Sequence, residues 1–186
     1  MIWLIGLGIF GVLCFLVPVF ERFRSTRTND LSMTASDPQI YLSVEQDAKN
    51  TLRTNFILHN QGETTAHDVA IQPLKMSSRS VTFRSIGVIA AGDKESVSPV
   101  IEYSGAPFVN GIFQWLEDAY KENKITRAEW PISIQVRYRD SLNQKRFRAT
   151  MTLVFHAIRY MLEKEHNLSG GLPILEFRDV DFKRIS

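Results

Sequence analysis

A single cysteine, Cys14, stands in 186 residues, which excludes an intrachain disulfide and a thiolate zinc cluster. Neither sign of charge dominates: 22 Lys and Arg face 20 Asp and Glu, for a net charge of +2. That balance excludes a strongly basic nucleic-acid binder of the histone or ribosomal kind and argues against nucleic acid as a partner. The four histidines, His59, His67, His156 and His166, show neither H-x-x-x-H nor H-E-x-x-H spacing, so no metal site is expected. No G-x-S-x-G elbow, phosphate-cradling G-x-x-x-x-G-K-[ST] loop or D-x-D-x-D-G loop occurs beyond the first twenty residues. No catalytic residue and no cofactor is therefore predicted. The chain reads as a non-enzyme.

What is present is one long apolar run. Residues 1–20, MIWLIGLGIFGVLCFLVPVF, carry no charged side chain. As a helix, Ile2–Phe20 would span roughly 28 Å, close to the thickness of a bilayer's hydrocarbon core. No Lys or Arg precedes the run and no small-residue cleavage site follows it, which argues against a signal peptide. Leu13 before Cys14 argues against a lipoprotein attachment. Gly6, Gly8 and Gly11 match G-x-G-x-x-G with Asp30 downstream, the spacing of a dinucleotide-binding turn. The residues after those glycines are apolar all round, however, and Arg24–Ser36 shows no strand pattern. A transmembrane helix with a basic flank over 1–24 is the expectation. Arg22, Arg24 and Arg27 follow the run and nothing basic precedes it, so the body of the protein is expected on the cytoplasmic side.

Ser25–Pro38 is polar apart from Leu31 and Met33 and reads as a linker. From Gln39 the apolar period becomes two, in Ile40–Val44, Leu52–Leu58, Val69–Ile71, Val81–Ile89, Val97–Ile101, Ile132–Tyr138 and Phe147–Phe155. Seven short strands separated by turns predict two antiparallel sheets packed as a β-sandwich over 39–156. The interruption 107–123 has helical spacing, with Phe108, Ile112, Trp115, Leu116 and Ala119 on one face and Glu117, Asp118, Lys121 and Glu122 on the other. It predicts one inserted helix beginning at Pro107. Phe108 and Trp115 are either core residues or anchors for a partner. In the tail, 157–186, residues 155–161 could prolong the last strand or begin a short helix. Pro173–Ile185 alternates enough for an extra edge strand or a docking peptide.

Two stretches carry a resemblance. HNQGETTAHDVAI (59–71) is similar to the N-x-G-x-x-x-A-x-x-V stretch of bacterial immunoglobulin-like domains of the adhesion-related and fibronectin-like kind. VRYRDSLNQKRFRATMTLVF (136–155) resembles the closing hairpin of membrane-anchored domains of that type. The resemblance implies an immunoglobulin-like sandwich and a non-catalytic interaction domain, and it transfers no functional residue.

The hairpin itself predicts a register. If Tyr138 and Phe147 face the core opposite one another, Arg137 stands opposite Arg148 and Arg139 opposite Arg146 on the outer face. Like charges directly opposite on a sheet are unfavourable. Either an acidic neighbour such as Glu102 offsets them, or the four arginines form a face for anionic lipid headgroups or an acidic partner. The whole reads as a single-pass, membrane-anchored interaction module, held to the bilayer by residues 2–20, that recruits or senses a protein partner in a membrane-associated assembly. The alternatives are an outward-facing envelope or adhesion module and an accessory subunit of a membrane enzyme.

Overall fold

The computed structural model describes residues 33–46, 54–76, 79–103, 106–108, 111–142, 145–166 and 172–185. The expected transmembrane helix at 1–24 lies outside them, as does most of the linker. Among the described residues no helix is long and apolar enough to cross a membrane.

The described chain is mainly β, in three antiparallel sheets with two helices. The first sheet has the order β1 (Ile40–Gln46), β2 (Thr54–Asn60), β7 (Lys94–Val97). The second is β12 (Leu175–Ile185), β11 (Arg146–His156), β10 (Glu129–Asp140), β3 (Ala66–Ile71), β6 (Ile86–Ile89). The third is β4 (Leu74–Met76), β5 (Arg79–Phe83), β8 (Pro99–Tyr103), β9 (Ala106–Phe108). Helix α1 (Ile112–Glu122) sits between β9 and β10, and α2 (Ala157–His166) between β11 and β12.

The extra sheet arises at corners too short to see in an apolar pattern. Gln72–Pro73 carries the chain from β3 to β4, Arg84–Ser85 from β5 to β6, and Ser98 alone from β7 to β8. The expected strands Val81–Ile89 and Val97–Ile101 are thus each two strands in two sheets. Apolar residues still face one core on both sides of each bend, with the period kept across Ser98 and shifted by one residue between Ile71 and Leu74 and between Phe83 and Ile86. Phe56 of β2 marks the meeting point: its ring lies edge-on to Phe83 of β5 at 5.7 Å and to Phe177 of β12 at 6.2 Å. The one core also takes in Ile40, Leu42, Val81, Ile134, Met151 and Leu153.

The inserted helix starts later than its apolar spacing predicts. Ala106–Phe108 pairs with β8, with Phe108 opposite Ile101, so Pro107 is not in a first helical turn. The fit of Phe108 to a helical period is a coincidence that ladder hydrogen bonding to β8 overrides. From Ile112 the prediction holds, and Ile112, Trp115, Leu116 and Ala119 are all buried. The helix closes where Asn123 Nδ2 donates to the Ala119 carbonyl at 2.7 Å and Lys124 turns to φ 49°.

In the tail, both β11 and a helix form: the strand runs to His156 and α2 begins at the next residue. The segment 175–185 is the edge strand β12, paired along β11 with an irregularity at Asp179, φ 54°. The linker's last residues are also built in. Thr34 N donates to Asp37 Oδ2 at 2.9 Å and Asp37 N to Thr34 O at 3.0 Å, closing a turn, and Asp37 is buried.

The N-x-G stretch has a structural meaning. Asn60 is buried, and its Nδ2 donates to the carbonyls of Thr64 at 2.8 Å and Ile89 at 3.1 Å. Its Oδ1 accepts from Gln39 N at 3.2 Å and Gly62 N at 3.1 Å. A Cβ on Gly62 would stand 2.3 Å from the Asp37 carbonyl oxygen, so only glycine lets the entering chain pass this close.

Candidate anion-binding face

The β10–β11 hairpin has the register expected from its alternation. Tyr138 stands opposite Phe147, Arg137 opposite Arg148 and Arg139 opposite Arg146. The two rings stack at 5.4 Å inside the core, which leaves all four guanidinium groups on the outer face of the five-stranded sheet. Arg137 and Arg146 are exposed, Arg139 and Arg148 half-buried.

Two neighbours complete the face, and both escaped sequence reading. On one side β12 places Lys183 opposite Arg148, so Arg137, Arg148 and Lys183 form a row of cations across three strands. On the other side Asp68 of β3 makes an ion pair with Arg139. Asp68 has φ 48° at an irregularity in the β3–β10 pairing, a conformation Asp tolerates and a bulge exploits to re-aim a side chain. The pair His67–Asp68, which reads as a solvated turn, therefore lies on a strand. Its only sequence signal would have been the tolerance of Asp for positive φ.

Glu102 does not offset the arginines. It lies on β8 in another sheet and accepts a hydrogen bond from Ser80 Oγ at 3.3 Å. Among the described residues no carboxylate lies within ion-pair distance of Arg137, Arg146 or Arg148, and Arg148 Nε is buried without a hydrogen-bond partner. Lys183 lies 3.8 Å from Asp181.

The hairpin's tip is joined to the chain's entry into the fold. Lys145 Nζ donates to Asp37 Oδ1 at 2.9 Å, and Lys145 N and the Asp140 carboxylate close the turn at 3.2 Å. Burial pushes the Asp37 carboxyl up, but the Thr34 amide and the Lys145 ammonium outweigh it and hold the carboxyl below its usual range. Leu142 in the turn is 71% exposed.

The other residues singled out in the sequence are placed elsewhere. Trp115 is 1% exposed, inside the core. Phe108 lies on β9, and Arg22, Arg24 and Arg27 lie outside the described residues. His59 stacks on Tyr41 at 4.6 Å and shares a hydrogen bond with Ser43 Oγ at 2.7 Å. His156 is buried between Glu129 and Glu176, with Arg178 paired to both carboxylates. No group of His, Cys, Asp and Glu among the described residues could hold a metal ion.

Glu117 also departs from expectation. It reads as solvated, yet it is buried between the helices, accepting from Lys121 Nζ at 2.5 Å, Lys164 Nζ at 2.7 Å and Tyr160 Oη at 2.8 Å. Burial acts to raise its pKa, but those three donors win and hold it at about 2. Asp118 is paired with Arg79 of β5.

One family model matches the chain, over residues 3–159, and its description is a domain of unknown function, DUF8453. The chain belongs to that family. No curated protein matches it, and no solved structure does.

Proposed function

We infer that this member of the DUF8453 family is a non-catalytic, single-pass membrane-anchored module that presents a β domain to a protein partner on the cytoplasmic side. The three sheets are read here as an elaborated immunoglobulin-like sandwich, with the β4–β5–β8–β9 sheet and both helices added to a simpler two-sheet plan. The family match supports anchor and domain as one unit, because it runs from residue 3 through the apolar segment to the start of α2.

The observation that carries the reading is the separation of two ends. The chain enters at Met33–Asp37, tied to the hairpin tip through Lys145. At the other end of β10, Ala157 N donates to the Ala128 carbonyl at 3.0 Å and α2 begins. The twelve residues of β10 set these ends roughly 40 Å apart. At the far end Ile158 and Leu162 are 57% and 42% exposed, beside a groove lined by Tyr120, Met161 and Glu165. An anchor at one end and an apolar patch at the other suit a domain that holds a partner away from the bilayer.

The test is topology. Ser85 is exposed in the corner between β5 and β6, far from either end in sequence. In a Cys14→Ser background, Ser85→Cys should react with an impermeant maleimide only after cells are opened. Labelling on intact cells would overturn the cytoplasmic placement and favour an envelope module. Release of the chain from membranes by alkaline carbonate would overturn the anchor.

A further inference from the structure

The arginine face and the turn at its end combine three features in one place: arginines with no carboxylate partner among the described residues, an exposed leucine and the entry of the chain. We propose that this end of the hairpin is a second membrane contact. Leu142 enters the headgroup–acyl boundary of an anionic bilayer, and Arg137, Arg146 and Arg148 meet lipid phosphates. The inference rests on the anchored reading above and specifies what the domain does once it is tethered.

Three observations select a bilayer over a protein or nucleic acid. The first is distance. Twelve residues, Glu21–Ser32, separate the apolar run from Met33, so even fully extended they hold the hairpin tip within roughly 40 Å of the lipid. Tethering at that range makes contact an intramolecular event at high effective concentration.

The second is the composition of the face. Along β10 it carries Ser133, Gln135, Arg137 and Arg139, and along β11 Arg146, Arg148, Thr150 and Thr152. None of these is a large apolar side chain, and among the β12 residues paired with them only Ile185, opposite Arg146 on the sheet's edge strand, adds one beside Lys183 and Asp181. A protein interface needs a desolvated apolar or aromatic centre, whereas a headgroup layer needs only charge. Nucleic acid would likewise accept charge, but it has no use for an apolar tip.

The third is that tip. Leu142 is the most exposed of the large hydrophobic side chains described, at 71%. It lies in the turn that leads into Arg146, the first residue of the return strand. An apolar side chain at the end of an arginine-bearing sheet face matches the two terms of interfacial binding, buried apolar area and attraction to anionic lipid. The like-charge pairs Arg137–Arg148 and Arg139–Arg146 are unfavourable in water, and phosphates between them would relieve that repulsion. Arg139 is held by Asp68 and Lys183 lies 3.8 Å from Asp181, so Arg137, Arg146 and Arg148 should carry most of the attraction.

The full chain, with Cys14→Ser and Ser141→Cys bearing an environment-sensitive fluorophore, would be reconstituted into vesicles of phosphatidylcholine alone or with phosphatidylserine. In the anionic vesicles the emission should move to the blue and quenching by aqueous iodide should fall. Molar salt should reverse both changes, since the Debye length shrinks to about 3 Å. Each cation near an anionic surface is worth roughly fivefold in association. Arg137→Gln with Arg148→Gln should therefore lower the docked-to-undocked ratio roughly 25-fold, while Leu142→Gln should weaken docking without altering its salt dependence.

A fluorophore that stays equally accessible in both vesicles, on a chain that resists carbonate extraction, overturns this inference and leaves the anchor standing. A chain that carbonate removes overturns both. Protection by soluble polyglutamate or a DNA oligonucleotide, with no response to phosphatidylserine, would assign the face to an acidic macromolecule instead.

Discussion

Two clusters of charge sit at opposite ends of β10 and β11, and they are built on opposite principles. Between α1 and α2, Glu117 is buried and every one of its neighbours is a donor: Lys121, Lys164 and Tyr160. On the outer sheet, Arg137 and Arg148 face each other with no carboxylate between them among the described residues. The first cluster closes on itself and holds two helices together. The second is left open, at a position where repulsion works against the fold. A buried carboxylate is retained only if its partners are in place, so the helix cluster has a structural role. Unrelieved cations on a solvated face are better explained by something that arrives.

Breaking the helix end should have the largest effects. Trp115→Ala removes a fully buried ring on the same helix and should destabilise the protein by about 3–5 kcal/mol, read from denaturant unfolding. Glu117→Gln should follow, at about 2 kcal/mol, once the screening of its half-exposed lysines is allowed for. Its pH signature is specific. The folded carboxyl titrates near pH 2, below its unfolded value, so its contribution is complete above about pH 4.5 and is lost as pH falls toward 2. The melting temperature of the parent should therefore drop across that window by more than that of Glu117→Gln.

The N-x-G turn sharpens the comparison, because it joins the entry to the tip by backbone contact. Gly62→Ala drives a methyl into the Asp37 carbonyl and should destabilise by about 1–3 kcal/mol. At the arginine face the sign should reverse. Replacing Arg137, Arg139, Arg146 and Arg148 by Gln should leave stability unchanged or raise it by a few tenths of a kcal/mol per relieved pair, while abolishing docking to anionic vesicles. A clear loss of stability would make the face structural and erase the contrast between the two ends. Smallest of all, Arg139→Gln alone should change stability by less than about 0.5 kcal/mol, since its pairing with Asp68 is solvent-exposed.

These differences track what a linear sequence can encode. The hairpin was legible because Ile132–Tyr138 and Phe147–Phe155 each alternate without a break and the turn between them is short, so one register alone places Tyr138 and Phe147 inside. The corners at Gln72–Pro73, Arg84–Ser85 and Ser98 were not, because a bend of one or two residues leaves at most a one-residue slip in the apolar pattern, which a bulge within one strand would also give. Pro107–Phe108 was misread because a three-residue strand followed by a helix can mimic a longer helical period. Glu117 was misread for a different reason. Its burial depends on Lys164 and Tyr160, more than forty residues away, and no property of α1 announces them. The candidate face was half visible for the same reason. Its arginines share a hairpin and could be paired by counting, whereas Asp68 and Lys183 reach it only through strands that the fold brings alongside.

The edge position of β12 has a consequence for how the protein is made. During synthesis β10, β11 and α2 all precede it, so β11 must wait with its outer edge unpaired until Leu175–Ile185 has left the ribosome. An open edge of that length is a template for pairing with other chains. β12 is itself an edge, but one that carries Arg178, Asp179, Asp181, Lys183 and Arg184, charges that disfavour further pairing, so it acts as a safeguard as well as a structural element. Ribosomal stalling or proteolytic clipping ahead of Leu175 should leave the arginine hairpin formed yet turn the nascent protein into a seed for aggregation.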